Sequence, residues 1–402
     1  MESLLCVCGR LRYTRIMKPT DPILILQSLI RFPSVTPHEG GALDYLQSVL
    51  SAAGFACHRL KFSDANTPDV DNLFARFGTT APHLCFAGHT DVVPPGDEAL
   101  WTHPPFSADI ENGKIYGRGA CDMKGAVAAF TAAALGYVAG HKSKPGSISF
   151  LITGDEEGPA VNGTVKVLQW MKVNGHTPDH CVVGEPTCPE KLGDTIKIGR
   201  RGSLSFVITV DGKQGHVAYP HKADNPVPKL ARFIDRISHI ELDGGTTHFD
   251  PSTLGVTSFD VGNTATNVIP SRATAKFNIR YNTEHTAQSL NALINLHVDA
   301  IKAELGGTWN VVAQEGADVF MTQPEAFVKL VQDAVYAETG ITPQLSTSGG
   351  TSDARFVKNY CPVLEFGPLS ATLHQTDEHI GVEELQAVTR IYGRVLNAYF
   401  AS

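Results

Sequence analysis

Ser147–Glu157 reads Ser-Ile-Ser-Phe-Leu-Ile-Thr-Gly-Asp-Glu-Glu. A short apolar run rich in β-type residues is what a buried strand looks like, and here it stops at a glycine followed by three carboxylates. Upstream, Leu84–Gly88 is a similar run, and it ends in His89-Thr90-Asp91. Downstream, Val182 and Val183 close a third one, followed by Gly184-Glu185-Pro186-Thr187. Between the first two runs, Met123–Tyr137 is alanine-rich and helical in pattern. This alternation, which holds to about residue 195, predicts an α/β sheet with helices on both faces. In such sheets sites gather at the carboxyl ends of the strands.

From residue 202 the style changes. Ser203–Gly212 alternates as a half-buried strand, Asn225–Ile240 is helical, and strand runs follow near Thr253–Phe259 and Ala273–Tyr281. A long amphipathic helix comes next, with Leu290, Leu293, Ile294, Val298, Ile301 and Leu305 on one stripe. The order β-α-β-β-α-β predicts a small α+β (ferredoxin-like) unit over 202–315, inserted between two parts of the α/β domain, 17–201 and 316–402. Thr20 or Asp21 caps the first helix, and Val382–Phe400 forms the last. Residues 1–16 read as an added piece, for which a start of translation at Met17 and a disordered tail are the two expectations.

The 402 residues suit two domains, and 42% hydrophobic with 18% charged residues is a globular composition. A net charge of −8 leaves no basic footprint, so no nucleic acid is expected. No apolar run approaches the roughly 20 residues that span a bilayer, so no membrane partner is expected. Eight scattered cysteines, several inside strand-like runs, read as free thiols in a reducing, cytoplasmic setting. Cys6-x-Cys8 has no partner pair at zinc-motif spacing.

Each polar signal has two readings. His89 is a good metal ligand whose other ring nitrogen Asp91 could hold, yet the same triplet also suits an ordinary turn. Asp122, in Gly117-Arg118-Gly119-Ala120-Cys121-Asp122, either caps the helix that follows or bridges two metals, and the roles are compatible. Asp155-Glu156-Glu157 is a solvated turn or a cation site, since adjacent buried carboxylates repel. Glu185 and a late His374 complete the set. Their joint occurrence at strand ends favours one site, where two histidines and several carboxylates suit zinc and two nearby ions would share Asp122.

The motifs HTDVVP, GRGACDMKGA, TGDEEG, GEPT and EFGPLSATLHQTDE resemble the M20 family of co-catalytic metallopeptidases, in order from about Asp21 to Ala398. The resemblance implies a mixed-sheet, zinc-peptidase-like catalytic domain. It also implies one Zn2+ on His89, Asp122 and Glu185 and a second on Asp122, Glu157 and His374, with Co2+ able to substitute. Asp91 would orient His89 and Glu156 would be the general base. A homodimer through the inserted unit would bring His216 into the partner's active site as an oxyanion donor.

Within the family, GRRGSL, GHVAYPH, TNVIP, FNIRY and SGGTSDARF resemble a branch acting on succinylated amides. Hydrolysis of N-succinyl-LL-2,6-diaminopimelate to succinate and LL-2,6-diaminopimelate is the activity implied. Arg280 and Arg200 are the expected partners of the substrate carboxylates, because guanidinium matches carboxylate in two-point contact. Ser203, Tyr219, Asn267, Gly350 and Thr351 would add hydrogen bonds, while Arg201 is the alternative to Arg200. The competing expectations are an acetylornithine deacetylase or small carboxypeptidase with the same metal centre, and a zinc- or peptide-binding protein on the same scaffold.

Overall fold

The computed structural model describes residues 20–141, 146–323, 325–350 and 352–401, without the side chain of Glu315. The N-terminal extension, with Cys6 and Cys8, and the candidate Thr351 lie outside these residues.

The apolar runs of the outer parts of the chain become one eight-stranded sheet. Its order is Ala56–Asp64, Thr67–Phe77, Ser147–Thr153, His83–His89, His180–Val183, Val363–Glu365, Thr195–Lys197 and Gln344–Ser346. His83–His89 is parallel to both of its neighbours, and Val363–Glu365 is parallel to His180–Val183. Thr67–Phe77 is antiparallel to Ser147–Thr153, so the sheet is mixed. Ser147–Thr153 and His83–His89 are buried at every position, as continuous apolar strands must be when both faces are covered.

Successive side chains point to opposite faces. Leu84, Phe86, Ile148 and Phe150 enter one core with the helices Pro22–Ile30, Lys124–Gly140 and Val382–Tyr399. Cys85, Ala87 and Leu151 enter a second with Thr164–Val173 and Ala354–Val357. The first core is tight: Phe86 stacks on Phe130 at 4.4 Å, and Tyr392 donates to the Phe366 carbonyl at 2.6 Å. Full burial of each such aromatic side chain contributes about 1.5–3 kcal/mol. Asp21 caps the first helix through the Ile23 N–H at 3.1 Å, with Pro22 at a position where no N–H is needed.

The middle of the chain builds a separate antiparallel sheet, ordered Thr253–Asp260, Arg272–Tyr281, Gly202–Asp211 and Thr308–Glu315. Leu204, Phe206, Ile208 and Val210 alternate inward from Gly202–Asp211 and pack under the helices Pro226–Ser238 and Ala287–Leu305. Of the expected stripe on the latter, Leu290, Ile294, Val298 and Ile301 are buried and Leu293 is half-buried. Leu305 is 38% exposed, contrary to the periodicity. It is the last residue of the helix, before Gly306 turns the chain at φ 66°.

A small third sheet, His379–Gly381, Lys114–Tyr116 and Ile110–Glu111, ties the segment before Asp122 to the segment after His374.

Candidate metal centre

Four ends meet above the carboxyl edge of the large sheet: His89 at the end of its strand, Glu156 and Glu157 after Thr153, Glu185 after Val183, and the loop carrying Asp122. Asp122 is not a helix cap. Met123 stands between it and the helix Lys124–Gly140, and the helix start has no side-chain cap. Its carboxylate is instead split between two histidines. Oδ1 lies 3.2 Å from His89 Nε2, and Oδ2 lies 3.2 Å from His374 Nε2. Glu185 Oε1 is 3.8 Å from the first imidazole, and Glu157 Oε1 is 2.8 Å from the second.

Three groups of three donor atoms result: His89 with Asp122 and Glu185, Asp122 with Glu157 and His374, and His89 with Glu156 and Glu157. Glu156 approaches His89 Nε2 only to 4.0 Å. The first group is deep, with the His89 side chain fully buried, while that of His374 is 48% exposed. The second position is therefore the one open to solvent.

The arrangement is frustrated without a cation. Burial pushes Glu185 well above the usual carboxylate range, with Asp122 and Glu156 adding to the effect. Glu156 is pushed up to about 8 by burial and by the charges of Asp353, Glu157 and Asp122. Burial opposes charge on His89, yet Asp122, Glu185 and Glu156 together hold its pKa well above the ordinary value. Hydrogen bonds to Asp122 and Glu157 raise His374 to about 10. Meanwhile His89 Nε2, Asp122 Oδ1 and Glu185 Oε1 are buried without any hydrogen-bond partner. Unpartnered buried donors and acceptors are rare, and three aimed at one point fit a metal ion.

Asp91 acts differently from the side-chain clamp expected of it. His89 Nδ1 lies 2.8 Å from the Asp91 main-chain carbonyl and 3.7 Å from its carboxylate. The carboxylate accepts instead from the N–H groups of Glu156 at 3.3 Å and Glu157 at 3.0 Å. One residue thus fixes the His89 tautomer through its backbone and the acidic turn through its side chain. Gly184 lets this end of the sheet close, since a Cβ there would stand 2.5 Å from Phe86 and 2.7 Å from Met123.

The chain matches the model of Peptidase family M20/M25/M40 over residues 85–398, from inside His83–His89 to the last helix. The chain belongs to this family. A succinyl-diaminopimelate desuccinylase of Methylorubrum populi is 55% identical over 387 residues, covering 96% of this chain and 100% of that one. Among solved structures, aminopeptidase PepT of Bacillus cereus shares the fold at a TM-score of 0.76 and 21% identity, over 96% of this chain and 100% of that one. The Bacillus subtilis YXEP protein, described as a dinuclear metal-binding peptidase from the M20 family, has a TM-score of 0.70 at 15% identity, over 95% and 98%. The family resemblance and the mixed α/β fold read from the sequence both hold.

The other candidate residues of this M20 chain fall in three places. Arg200 is already committed: Glu365 takes its Nε at 2.9 Å and its Nη2, and its Nη1 donates to the Ser348 carbonyl at 3.2 Å. Ser352 donates to the same Glu365 at 2.7 Å. Gly349, at φ 104°, leaves room for that guanidinium, which a Cβ would approach to 2.5 Å. The donors of Arg200 thus face Glu365 and Ser348 in this structure, and its expected contact with a substrate carboxylate is a proposal. Among the described residues Arg201 forms no ion pair, and its Nε is buried without a partner.

Ser203 and Arg280 face each other across paired strands and line a cleft of about 540 Å³ with Arg355, Phe356 and Lys358. Among the described residues none of Arg280, Arg355 and Lys358 is within ion-pair distance of a carboxylate, while Asp318 lines the same cleft and Asp353 acts on Arg355 at longer range. His216, Tyr219 and Asn267 gather instead on an exposed ribbon, where Gly215–His216 pairs with Val268–Ile269. Among the described residues no hydrogen bond or ion pair joins this ribbon to the metal donors. Gly350 is exposed.

Two buried carboxylates that sequence reasoning passed over also shape the site, Glu365 and Glu378. Each lies in a quoted motif, EFGPLSATLHQTDE, but neither shows a periodicity or metal spacing by which to single it out.

Proposed function

We propose that this protein hydrolyses the succinyl amide of N-succinyl-LL-2,6-diaminopimelate, releasing succinate and LL-2,6-diaminopimelate. The observation that carries the reading is Asp122, whose two oxygens address His89 and His374 at 3.2 Å each within a cluster of unpartnered donors. The naming of relatives that are 55% identical over 96% of the chain supplies the substrate. It is a hydrolase of the M20 peptidase family, and the expected acetylornithine and non-enzyme alternatives are not favoured.

His89, Asp122 and Glu185 would hold one Zn2+ and Asp122, Glu157 and His374 the other, with Co2+ as a substitute. Two imidazoles amid carboxylates are donors that suit these ions. Such ions supply a water of lowered pKa and polarise the amide carbonyl. Glu156 is in reach of His89 and Glu157 as a donor, but neither of the two proposed ions uses it. Its carboxylate would take the proton from the attacking water and return it to the leaving amine. Ser203 and Arg280 would hold a substrate carboxylate, and their shared cleft with Arg355, Lys358 and Asp318 supports that reading.

Residues 202–315 act as a lid and dimerisation domain between catalytic parts 17–201 and 316–402. Thr253–Asp260 lies at the edge of the small sheet and is exposed on both faces, with Val256 37% and Phe259 40% accessible. An exposed edge of this kind pairs readily with a second copy. The dimer would carry the ribbon of His216, Tyr219 and Asn267 to the partner's metal centre, where His216 stabilises the oxyanion. The six described cysteines are free thiols, which supports a cytoplasmic setting. No helix of the described residues is long and apolar enough to cross a membrane.

The test is steady-state hydrolysis of N-succinyl-LL-2,6-diaminopimelate beside N-acetylornithine, with added zinc and with a chelator. Metal-dependent turnover of the succinyl compound alone is expected. Preference for the acetyl compound would keep the metal centre and overturn the substrate.

A further inference from the structure

The loop that presents Asp122 is held from behind by Glu378, a fully buried carboxylate four residues beyond His374. Each of its oxygens accepts two donors. Oε1 takes the N–H of Cys121 at 2.9 Å and of Asp122 at 3.1 Å. Oε2 takes the N–H of Gly119 at 3.0 Å and Arg118 Nη1 at 2.8 Å. Arg118, 3% exposed and lying over the Trp101 ring at 5.1 Å, reaches back to the carbonyls of Gln375 at 3.2 Å and His374 at 3.4 Å. The Glu378 carbonyl accepts the Gly117 N–H at 2.8 Å, and His379–Gly381 pairs with Lys114–Tyr116 just beyond.

We propose that Glu378, with Arg118, is the positioning residue of the metal centre, fixing the bridging Asp122 relative to His374. The proposal rests on the two-metal reading above. Asp122 and His374 come from loops more than 250 residues apart, and no helix or strand contains both. The strand pairing brings the two segments together, and this carboxylate joins the loops at their tips, gripping the Asp122 backbone directly and the His374 backbone through Arg118. Because all four groups facing Glu378 are donors, an amide cannot replace it. Whichever way a glutamine is turned, its NH2 opposes either Cys121 and Asp122 or Gly119 and Arg118. One of the two tethers is then released.

The test is titration of metal-free, full-length protein with Zn2+ against a chromophoric chelator, together with the visible absorption of the Co2+ form. Wild type is expected to take two equivalents. Glu378→Gln is expected to melt cooperatively but to bind the weaker equivalent about 10–100-fold less tightly, with an altered Co2+ spectrum. The loss should fall on the position that includes His374, since that one is open to solvent. Tyr392→Phe, which breaks a buried hydrogen bond to Phe366 away from the loop, should lower the melting temperature without moving either affinity.

Wild-type affinity at both positions in a folded Glu378→Gln protein would overturn the proposal. Should that variant not fold, Arg118→Lys carries the same test. It keeps the three backbone bonds and loses the forked link to His374, and about a 10-fold weakening is expected; no weakening overturns the proposal. Failure of the wild type to take two equivalents would overturn the two-metal reading itself, a result independent of either variant.

Discussion

The carboxylate of Asp91 accepts the main-chain N–H of Glu157 at 3.0 Å, tying the end of one parallel strand to the turn that follows its neighbour. The same carboxylate holds Glu156, so a proposed metal ligand and the proposed base share one anchor. Asp91→Ala leaves both N–H groups without an acceptor, while the His89 ring keeps its backbone partner. The expected outcome is a fall in kcat of about 10–100-fold, with KM changed little at saturating metal. Steady-state kinetics with metal content measured in parallel check it. A change in KM alone would show that Asp91 serves the substrate rather than the turn.

Glu156→Gln removes only the proton carrier. Metal stoichiometry should stay at the wild-type value, because neither proposed ion uses Glu156, and turnover should fall by at least about 10²–10⁴-fold. Metal analysis and single-turnover assays separate the two effects. Normal turnover in this variant would take Glu156 out of the mechanism.

The two arginines make opposite predictions. Arg200 and Glu365 form a buried pair, with side chains 12% and 1% exposed, so Arg200→Ala strands a carboxylate and should cost about 3–5 kcal/mol of stability. Arg280 lines the cleft without an ion pair, so Arg280→Ala should raise KM while denaturation midpoints move little. Chemical denaturation and substrate titration of both variants decide. A stable Arg200→Ala with a raised KM would assign Arg200 to substrate binding instead.

These residues also mark what the sequence made legible. The large sheet announced itself because fully buried parallel strands are unbroken apolar runs, and the proposed ligands His89, Glu157 and Glu185 stand directly behind three of them. Asp122 was visible as a candidate, although its helix-cap reading fails in space. Glu365 and Glu378 were not visible, because they are defined by partners far along the chain. Arg200 lies 165 residues from Glu365, and Arg118 lies 260 from Glu378. A buried carboxylate with remote donors looks, in one dimension, like a solvated one. Leu305 fails the other way, since the helical period continues on paper to the last residue of the helix, which lies 38% exposed.

His216 stands on an exposed ribbon with no hydrogen bond or ion pair to the metal donors among the described residues, so its proposed role requires a second subunit. His216→Ala should lower kcat by about 10²–10³-fold, more than it raises KM. Mixing this variant with Glu156→Gln should recover part of the activity once subunits exchange, because a mixed dimer holds one intact composite site. Absence of recovery, with exchange shown by differently tagged chains, would confine the active site to one chain.

Protonation of the metal cluster sets a pH dependence that metal should reverse. In the metal-free protein Glu156 is raised from 4.5 to about 8 and Glu185 well above 4.5. His374 is raised from 6.5 to about 10. Across pH 5–8 these groups therefore bind more protons in the folded state than in the unfolded one, and their contribution to stability falls as pH rises. Against it stands an opposite contribution from His83, held down to about 4, and Lys124, held down to about 7, which metal should leave unchanged. The carboxylate contribution is lost between about 4.5 and 8, and the histidine contribution begins to be lost above 6.5. Asp122, whose pKa is lowered despite burial by the facing imidazoles of His374 and His89, adds stability that is lost only in acid, so it does not oppose the trend. Bound metal needs these ligands deprotonated, so the metal-loaded protein should instead gain stability over the same range. Thermal melts at pH 5, 6, 7 and 8, with chelator and with saturating Zn2+, measure both slopes. Parallel slopes would mean that the cluster is not where the metal binds.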